Sequence, residues 1–450
     1  MRGRFLHEAW GETPEPGNID FFGGTLVGIE EELDSLADLG VTILYLNPIF
    51  EAFSNHRYDT GDYMQVDPLL GTYADFRSLC LAAAKRGMRI IVDGVFNHTG
   101  SDSIYFNKYG TYGEEGAYND PQSPYCDWYT FSRYPDVYDC WWGIDTLPAV
   151  KEENESYQRF IYGDAHSVVR TVLEAGASGI RLDVADELPD VFLDGLRSAV
   201  KETKANAALI GEVWEDASDK IAYGRRRRYL QGGQLDSVMN YPVKEAILAF
   251  VNGEIGAIQF MDSVEALREH YPADVFYSLM NILGTHDTPR IRTALNSNAK
   301  LFQAVILQLF LPGVPCIYYG DENGMTGARD PFNRACFEPE KADEKIKAFY
   351  RRLLAFRKDI PGIGRPRQGD DSSVFTEFRS LGAKNGTYLF ARENEEMRLV
   401  VAINCGAYAV VEIEERTDRM LAEGRATLDE QGNLHLPPGS CAAMCYDKTK

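Results

Sequence analysis

The chain is poor in positive charge and in histidine, and it has no paired cysteine spacing. Lys and Arg number 46 against 68 Asp and Glu, a formal net charge of -22, and there are only 7 His. So acidic a surface repels phosphate backbones and anionic lipid, which argues against nucleic acid or an anionic membrane as partner. The eight Cys are scattered without a C-x-x-C, so neither a disulfide framework nor a zinc site is expected, and reduced thiols in the cytoplasm are. No apolar core stands in the first ten residues, so no signal peptide is expected.

Long hydrophobic runs are also scarce. Only residues 301–320 lack charge over nearly a membrane span, and Pro312, Gly313 and Pro315 interrupt them. They read as a buried helix over 301–311, a turn, and a strand over 316–319, with no membrane span. The basic run 225–228 reads as an exposed helix end or loop.

What is present is an alternation. Apolar residues at Leu26, Ile29, Leu33, Leu36 and Leu39 predict a helix that Gly40 stops, and a largely apolar strand follows over 41–46. Helix and strand recur over 73–86 and 88–96, 166–175 and 179–184, and 191–203 and 208–213. Further strands are expected at 236–240, within 276–285 and at 316–319, and helices at 243–251, 255–269 and 343–357. Mostly apolar strands between helices predict an α/β fold with a parallel sheet. Seven strands are visible where a (β/α)8 TIM barrel has eight; the first is not evident, and Arg4-Phe5 is its only hint. Residues 99–148, rich in Tyr, Gly, Asp, Pro and Trp, read as an inserted B subdomain. From about residue 366 the pattern turns all-β, with strands at 373–378, 386–391, 398–404, 409–413 and 441–446, a C-terminal antiparallel domain. The expected division is therefore 1–98 and 149–365 for the barrel, 99–148 for the insertion and 366–450 for the β domain.

Charge collects where the apolar strands end: Asp93 with Asn97-His98, Arg181-x-Asp183, Glu212, and His286-Asp287. In a barrel such ends share one mouth. Any one of them has a structural reading, an ion pair, a satisfied acid or a helix cap; four on different strands favour a site. Carboxylates with an Arg and two His, but no Cys nucleophile or phosphate loop, suit retaining glycoside hydrolysis. On that reading Arg181 keeps Asp183 ionised as nucleophile, and Glu212, beside Val213 and Trp214, holds a proton as acid/base. A carboxylate/His metal site uses similar residues but leaves the aromatic insertion unexplained. Tyr58, after the first visible strand, either stacks on a sugar or packs.

Asp93-Gly94-Val95-Phe96-Asn97-His98, Gly179 to Asp183, Gly211-Glu212-Val213-Trp214 and Gly284-Thr285-His286-Asp287-Thr288 resemble, in order, the four signatures of the α-amylase family. The resemblance implies Asp183 as nucleophile, Glu212 as acid/base and Asp287 as a third carboxylate that stabilises the transition state. It places Arg181, His98 and His286 around the bound glucose, with Tyr58 stacking beneath it. Phe22-Gly23-Gly24-Thr25-Leu26, Thr146-Leu147-Pro148-Ala149-Val150 and His286-Asp287-Thr288-Pro289-Arg290 are similar to the neopullulanase, cyclomaltodextrinase and maltogenic amylase group. In that group Glu187 bears on acceptor choice, and Glu187 and Arg290 join the implied substrate-binding residues. Asp186 departs from the group's usual Asn. The implied substrates are short or cyclic α-1,4-glucans, with α-1,6 bonds and transglycosylation as extensions. No cofactor and no obligatory calcium are expected, and a homodimer is the one protein partner considered. A relative acting on sucrose, trehalose or isomalto-oligosaccharides, and a non-catalytic carbohydrate-binding protein, remain as alternatives.

Overall fold

The computed structural model describes residues 4–448 apart from 12, 14, 15, 114, 361, 364–376, 414–416 and 418. It divides into two compact units, residues 1–213 with 217–238, and residues 214–216 with 239–450.

The first unit is built on five parallel strands in chain order: β1 (Ile43–Leu46), β2 (Arg89–Gly94), β3 (Gly179–Leu182), β4 (Ala208–Gly211) and β5 (Ser237–Val238). Gly179 is required by close approach: a Cβ there would lie 2.6 Å from the Ala208 carbonyl oxygen. Helices α1 (Tyr73–Lys85), α2 (Val168–Ala175) and α3 (Asp190–Thr203) follow β1, precede β3 and follow β3. The helix expected over 26–39 forms as two pieces, Leu26–Glu31 and Leu33–Leu39, and ends at Gly40 with φ 97°. Arg4-Phe5 does not lead into the five-stranded sheet: Phe5–Leu6 is an exposed two-residue strand paired with Asp20–Phe21. Residues 99–148 hold mainly turns, with one small hairpin of Phe131–Arg133 and Val137–Tyr138. They are organised by aromatic contacts around Tyr105, Phe106 and Trp128.

In the second unit β6 (Met280–Ile282) pairs in parallel with β7 (Val314–Cys316). The strand expected over 316–319 thus lies earlier and includes Pro315. A proline fits because β7 pairs with β6 alone among the described residues. Helices α4 (Tyr241–Asn252), α5 (Ala257–His270), α6 (Asn298–Phe310) and α7 (Glu344–Lys358) complete this part. Every residue of α6 from Leu301 to Phe310 is buried, with Gln303 donating to the Asn404 carbonyl and Gln308 to that of Cys316. Among the described residues no helix is long and apolar enough to cross a membrane.

The C-terminal part is antiparallel, as expected. Strands Glu377–Lys384, Thr387–Glu393, Met397–Asn404, Ser440–Asp447 and Arg419–Glu423 form one sheet in that spatial order. Ala409–Glu412, Asn433–Leu436 and Thr427–Leu428 form another. The first part of the strand expected over 373–378 lies outside the described residues, as does the boundary at 366. Val400, Ala402, Leu434, Leu436, Ala442 and Met444 fill the core.

Candidate active site

Strand register assembles the charges of the first unit. Asp93 on β2 and Ile210 on β4 are both in register with Arg181 on β3, and Tyr45 on β1 is in register with Ile91. Side chains two residues apart share a face. Tyr45, Asp93, Arg181, Asp183 and Glu212 therefore meet at one side of the strand ends.

Arg181 is the hub and is fully buried. Its Nη1 donates to Asp93 Oδ1 at 2.9 Å and Oδ2 at 3.0 Å, and to Asp183 Oδ1 at 2.9 Å. Nη2 faces Glu212 Oε1 at 2.9 Å as an ion pair, without the angle of a hydrogen bond. Asp93 also accepts from the hydroxyls of Tyr45 (2.9 Å) and Tyr58 (2.8 Å). Glu212 Oε2 accepts from the Val184 N–H at 3.0 Å. That amide is aimed by a strained backbone: Val184 has φ 40°, where a β-branched residue is an outlier.

Three buried carboxylates thus share one guanidinium. Arg181 favours the ionised form of Asp183, and burial works against it. Burial raises the Asp183 pKa well above the usual carboxylate range; Arg181 opposes this, while Glu212 and Asp93 add to it. Asp93 moves the same way, again by burial.

His98 is buried, its Nε2 is 3.1 Å from the Tyr58 carbonyl, and its Nδ1 has no protein partner. Burial lowers its pKa to about 4, so the imidazole is neutral above that pH. Tyr58 stacks against His56 at 6.0 Å while its hydroxyl holds Asp93. Glu187 lies in the 3-10 turn Ala185–Glu187, directly after Val184.

In the second unit, β6 leads to His286, which is buried, and Asp287, which is exposed. His286 Nε2 is 3.1 Å from Asp287 Oδ2, and Arg334 is 3.6 Å from Oδ1. Arg334 and Asn333 both donate to the His286 carbonyl, at 3.0 and 2.6 Å, and so fix the turn. Arg290 is fully buried, donates to the Tyr319 carbonyl at 2.6 Å, pairs with Asp321 at 3.3 Å and lies against the rings of Tyr318 and Tyr319. Its contacts are those of a residue supporting the turn. Trp214 stacks on Tyr241 with centroids 4.5 Å apart.

Sequence reasoning missed Tyr45 and left Asp93 without a role. Tyr45 sits in the apolar run Ile43-Leu44-Tyr45-Leu46 and reads as core; only its register beside β2 reveals its partner. Asp93→Ala is expected to destabilise the protein by about 3–5 kcal/mol in urea unfolding, because Arg181 loses a buried counter-charge and two hydroxyls lose their acceptor. Nearby, Asp59 accepts from Ser54 N–H at 3.1 Å and from its hydroxyl, and burial pushes its pKa up to about 7. A raised carboxyl binds its proton more tightly when folded, so its contribution to stability falls as pH rises from about 4 through 7. Asp59→Asn is expected to flatten the pH dependence of stability in that window by a few kcal/mol, about 1.4 per pKa unit.

The chain is similar to known proteins. Residues 8–359 match the family described as alpha amylase, catalytic domain. The chain is 36% identical over 462 residues to an amylopullulanase of Thermoanaerobacterium saccharolyticum, covering 89% of this chain and 35% of that protein. It is 33% identical to a cyclomaltodextrinase of Thermoanaerobacter pseudethanolicus, covering 96% of this chain and 72% of that protein. The chain thus spans about a third of the amylopullulanase it matches. Among solved structures, the ligand-free cyclic α-maltosyl-(1→6)-maltose hydrolase of Arthrobacter globiformis superposes with a TM-score of 0.81 at 29% identity, covering 99% of this chain and 96% of that one.

Proposed function

The chain belongs to the α-amylase catalytic-domain family, and from that premise we propose that it is a retaining hydrolase of α-1,4-glucosidic bonds in maltodextrins, cyclomaltodextrins or pullulan. Its fold class is that family's TIM barrel with a C-terminal antiparallel β domain. The observation that carries the proposal is the binding of Asp183 and Glu212 to the two ends of one buried guanidinium. That arrangement supplies the adjacent nucleophile and acid/base of a double displacement.

In this reading the Asp183 carboxylate attacks the anomeric carbon. Glu212 protonates the departing glycosidic oxygen, then deprotonates the water or sugar hydroxyl that resolves the ester. Val184 N–H and Arg181 hold Glu212, and Asp93 with the Tyr45 and Tyr58 hydroxyls holds Arg181. His98, neutral and with Nδ1 unpartnered, is suited to a glucose hydroxyl. We assign Asp287 and His286 to sugar hydroxyls by their motif, and Glu187 to the choice of acceptor. Cleavage of α-1,6 bonds and transfer to sugars belong to the same proposal, supported by the names of the amylopullulanase and of the α-maltosyl-(1→6)-maltose hydrolase. A cytoplasmic location is supported by the scattered spacing of the eight cysteines, which includes no C-x-x-C. A homodimer stays a proposal, tested by the mass in solution.

The test is the release of reducing sugar from cyclomaltodextrin, pullulan and starch side by side, with Glu212→Gln as control. Turnover that the variant abolishes is expected. No release from any of the three, or from maltotriose, would overturn the reading.

A further inference from the structure

The C-terminal part holds three linked titratable side chains outside the carboxylate cluster. Asn433–Leu436 is the middle strand of the second sheet there, between Ala409–Glu412 and Thr427–Leu428. Alternation sorts its residues: Leu434 and Leu436 are buried in the core, so His435 between them faces outward. Val410 and Thr427 flank His435 in register. Tyr408 stands just before the first of these strands and is 58% exposed. Its hydroxyl lies 2.6 Å from His435 Nδ1, and His435 Nε2 lies 2.9 Å from Asp429 Oδ2.

The proton positions follow from Asp429. Its carboxylate accepts from the backbone N–H groups of Gln431 and Asn433, at 3.0 and 2.8 Å, and from Asn433 Nδ2 at 3.0 Å. The His435 hydrogen bond, then that of the Asn433 side chain, holds the Asp429 carboxyl well below the usual carboxylate range. Asp429 is therefore an ionised acceptor, and His435 Nε2 carries the hydrogen between them. In the neutral ring Nδ1 is then an acceptor, and the Tyr408 hydroxyl donates to it. The turn fixes the acid from behind, since Asp429 N–H donates to the Asn433 carbonyl at 3.0 Å. The side chains of His435 and Asp429 are 31% and 27% exposed, so the phenol oxygen is open to a small molecule while the acid behind it is held.

A hydroxyl in reach of an imidazole that a carboxylate orients is the arrangement that activates a nucleophile. A phenol also gives up its proton more readily than an aliphatic hydroxyl. From this geometry we propose that Tyr408 is a nucleophile toward small activated acyl donors and a site of O-acylation, with His435 as general base and Asp429 as its positioning residue. The Tyr408 oxygen forms a bond to the acyl carbonyl carbon while the phenol proton passes to His435 Nδ1. Asp429 stabilises the imidazolium so formed. The bond from the acyl carbon to the leaving group then breaks, and His435 returns the proton to that group. The net change is transfer of the acyl group from donor to phenol. The other charged groups on this face and turn, Glu412 and Glu430, are acidic, and the chain carries a formal net charge of -22, so an uncharged donor approaches more readily than an anionic one. None of this depends on the hydrolase reading.

The experiment treats the full chain with N-acetylimidazole, an uncharged acyl donor, and follows acetylation of each tyrosine by peptide mass spectrometry over time. Tyr223 is the internal reference: it is more exposed, at 73%, but its hydroxyl bonds the Glu187 carboxylate, a weaker base than imidazole. Tyr408 is expected to react about tenfold faster than Tyr223, or more, in the native protein. In urea, where the three groups are dispersed, the two should react alike. His435→Gln should lower the Tyr408 rate about 10²-fold and leave that of Tyr223 unchanged, the loss general base catalysis implies. Asp429→Asn should lower the ratio of the two rates, and Asp429→Glu, which keeps the charge, should restore part of it. A network that only ties the turn to its strand would leave Tyr408 no faster than Tyr223, and that result would overturn the proposal. So would a Tyr408 rate undiminished in His435→Gln. Should that variant not fold, the comparison of native and urea-unfolded wild type decides alone: an advantage of Tyr408 that is absent from the native protein, or that survives in urea, counts against the proposal.

Discussion

Asp183→Asn is expected to lower kcat/KM on maltotetraose by about 10⁴-fold or more with the protein still folded, as the loss of a covalent nucleophile does. The substitution preserves shape, and the amide oxygen can still accept from Arg181 Nη1, which Asp183 meets at 2.9 Å in the native site. It also removes a buried charge that Glu212 and Asp93 disfavour, so the fold should tolerate it. What it cannot do is form the glycosyl ester. A good leaving group does not bypass that defect, and α-maltosyl fluoride should be turned over as poorly as maltotetraose. Circular dichroism and urea unfolding check the fold; parallel kinetics on the two substrates check the role.

Glu212→Gln should behave differently, and the difference is diagnostic. The loss on maltotetraose is expected to be about 10³-fold, the upper part of the range for general acid–base catalysis. Fluoride departs without a proton, so formation of the ester from α-maltosyl fluoride should suffer far less. Deglycosylation still needs a base for water, so the ester should accumulate, visible as a burst of fluoride release. Azide, which needs no base, should then speed turnover and give a glycosyl azide of retained configuration. A variant equally slow on both substrates, with no burst and no rescue, would assign the acid/base elsewhere. The amide introduced by Glu212→Gln could still meet Val184 N–H through its carbonyl oxygen, so local collapse is not expected to confuse the result.

Much of the first unit's site is legible in the sequence because β-strands impose a period of two. Arg181 and Asp183 fall on one face by spacing alone, and an apolar run that ends in charge marks the end of a strand. Which other side chains that face meets depends on register between strands, which spacing within one strand does not contain. So Asp93 and Tyr45 become partners of Arg181 only when β1, β2 and β3 are aligned. For the same reason the Arg181–Asp183 spacing shows one ion pair but not the burial and the two further carboxylates, Asp93 and Glu212, that act against the charge of Asp183.

Outside the site, failures have local causes. Pro315 disguised β7, since a proline is rarely admitted to a strand unless that strand is paired on one side. The four-arginine run read as solvated, but the acids that bury Arg227 and pair Arg228 stand about forty residues earlier, at Asp186, Asp190 and Asp194. Strands Arg419–Glu423 and Asn433–Leu436 carry polar residues on their exposed faces and lack the apolar run that marked the other β segments. The helix at Glu155–Gln158, continued by a π-helical turn over Arg159–Gly163, was hidden by a stretch of charges after the insertion.

The central claim is that Asp183 forms a covalent bond to the sugar while Glu212 moves the proton. The most direct measurement is to treat the protein with 5-fluoro-α-glucosyl fluoride, whose ester is slow to hydrolyse, and to map the label by peptide mass spectrometry. The account predicts one glucosyl ester, on Asp183, formed at stoichiometry and absent in Asp183→Asn. A label on another carboxyl, or hydrolysis of maltotetraose to the β-anomer with no label at all, would contradict it.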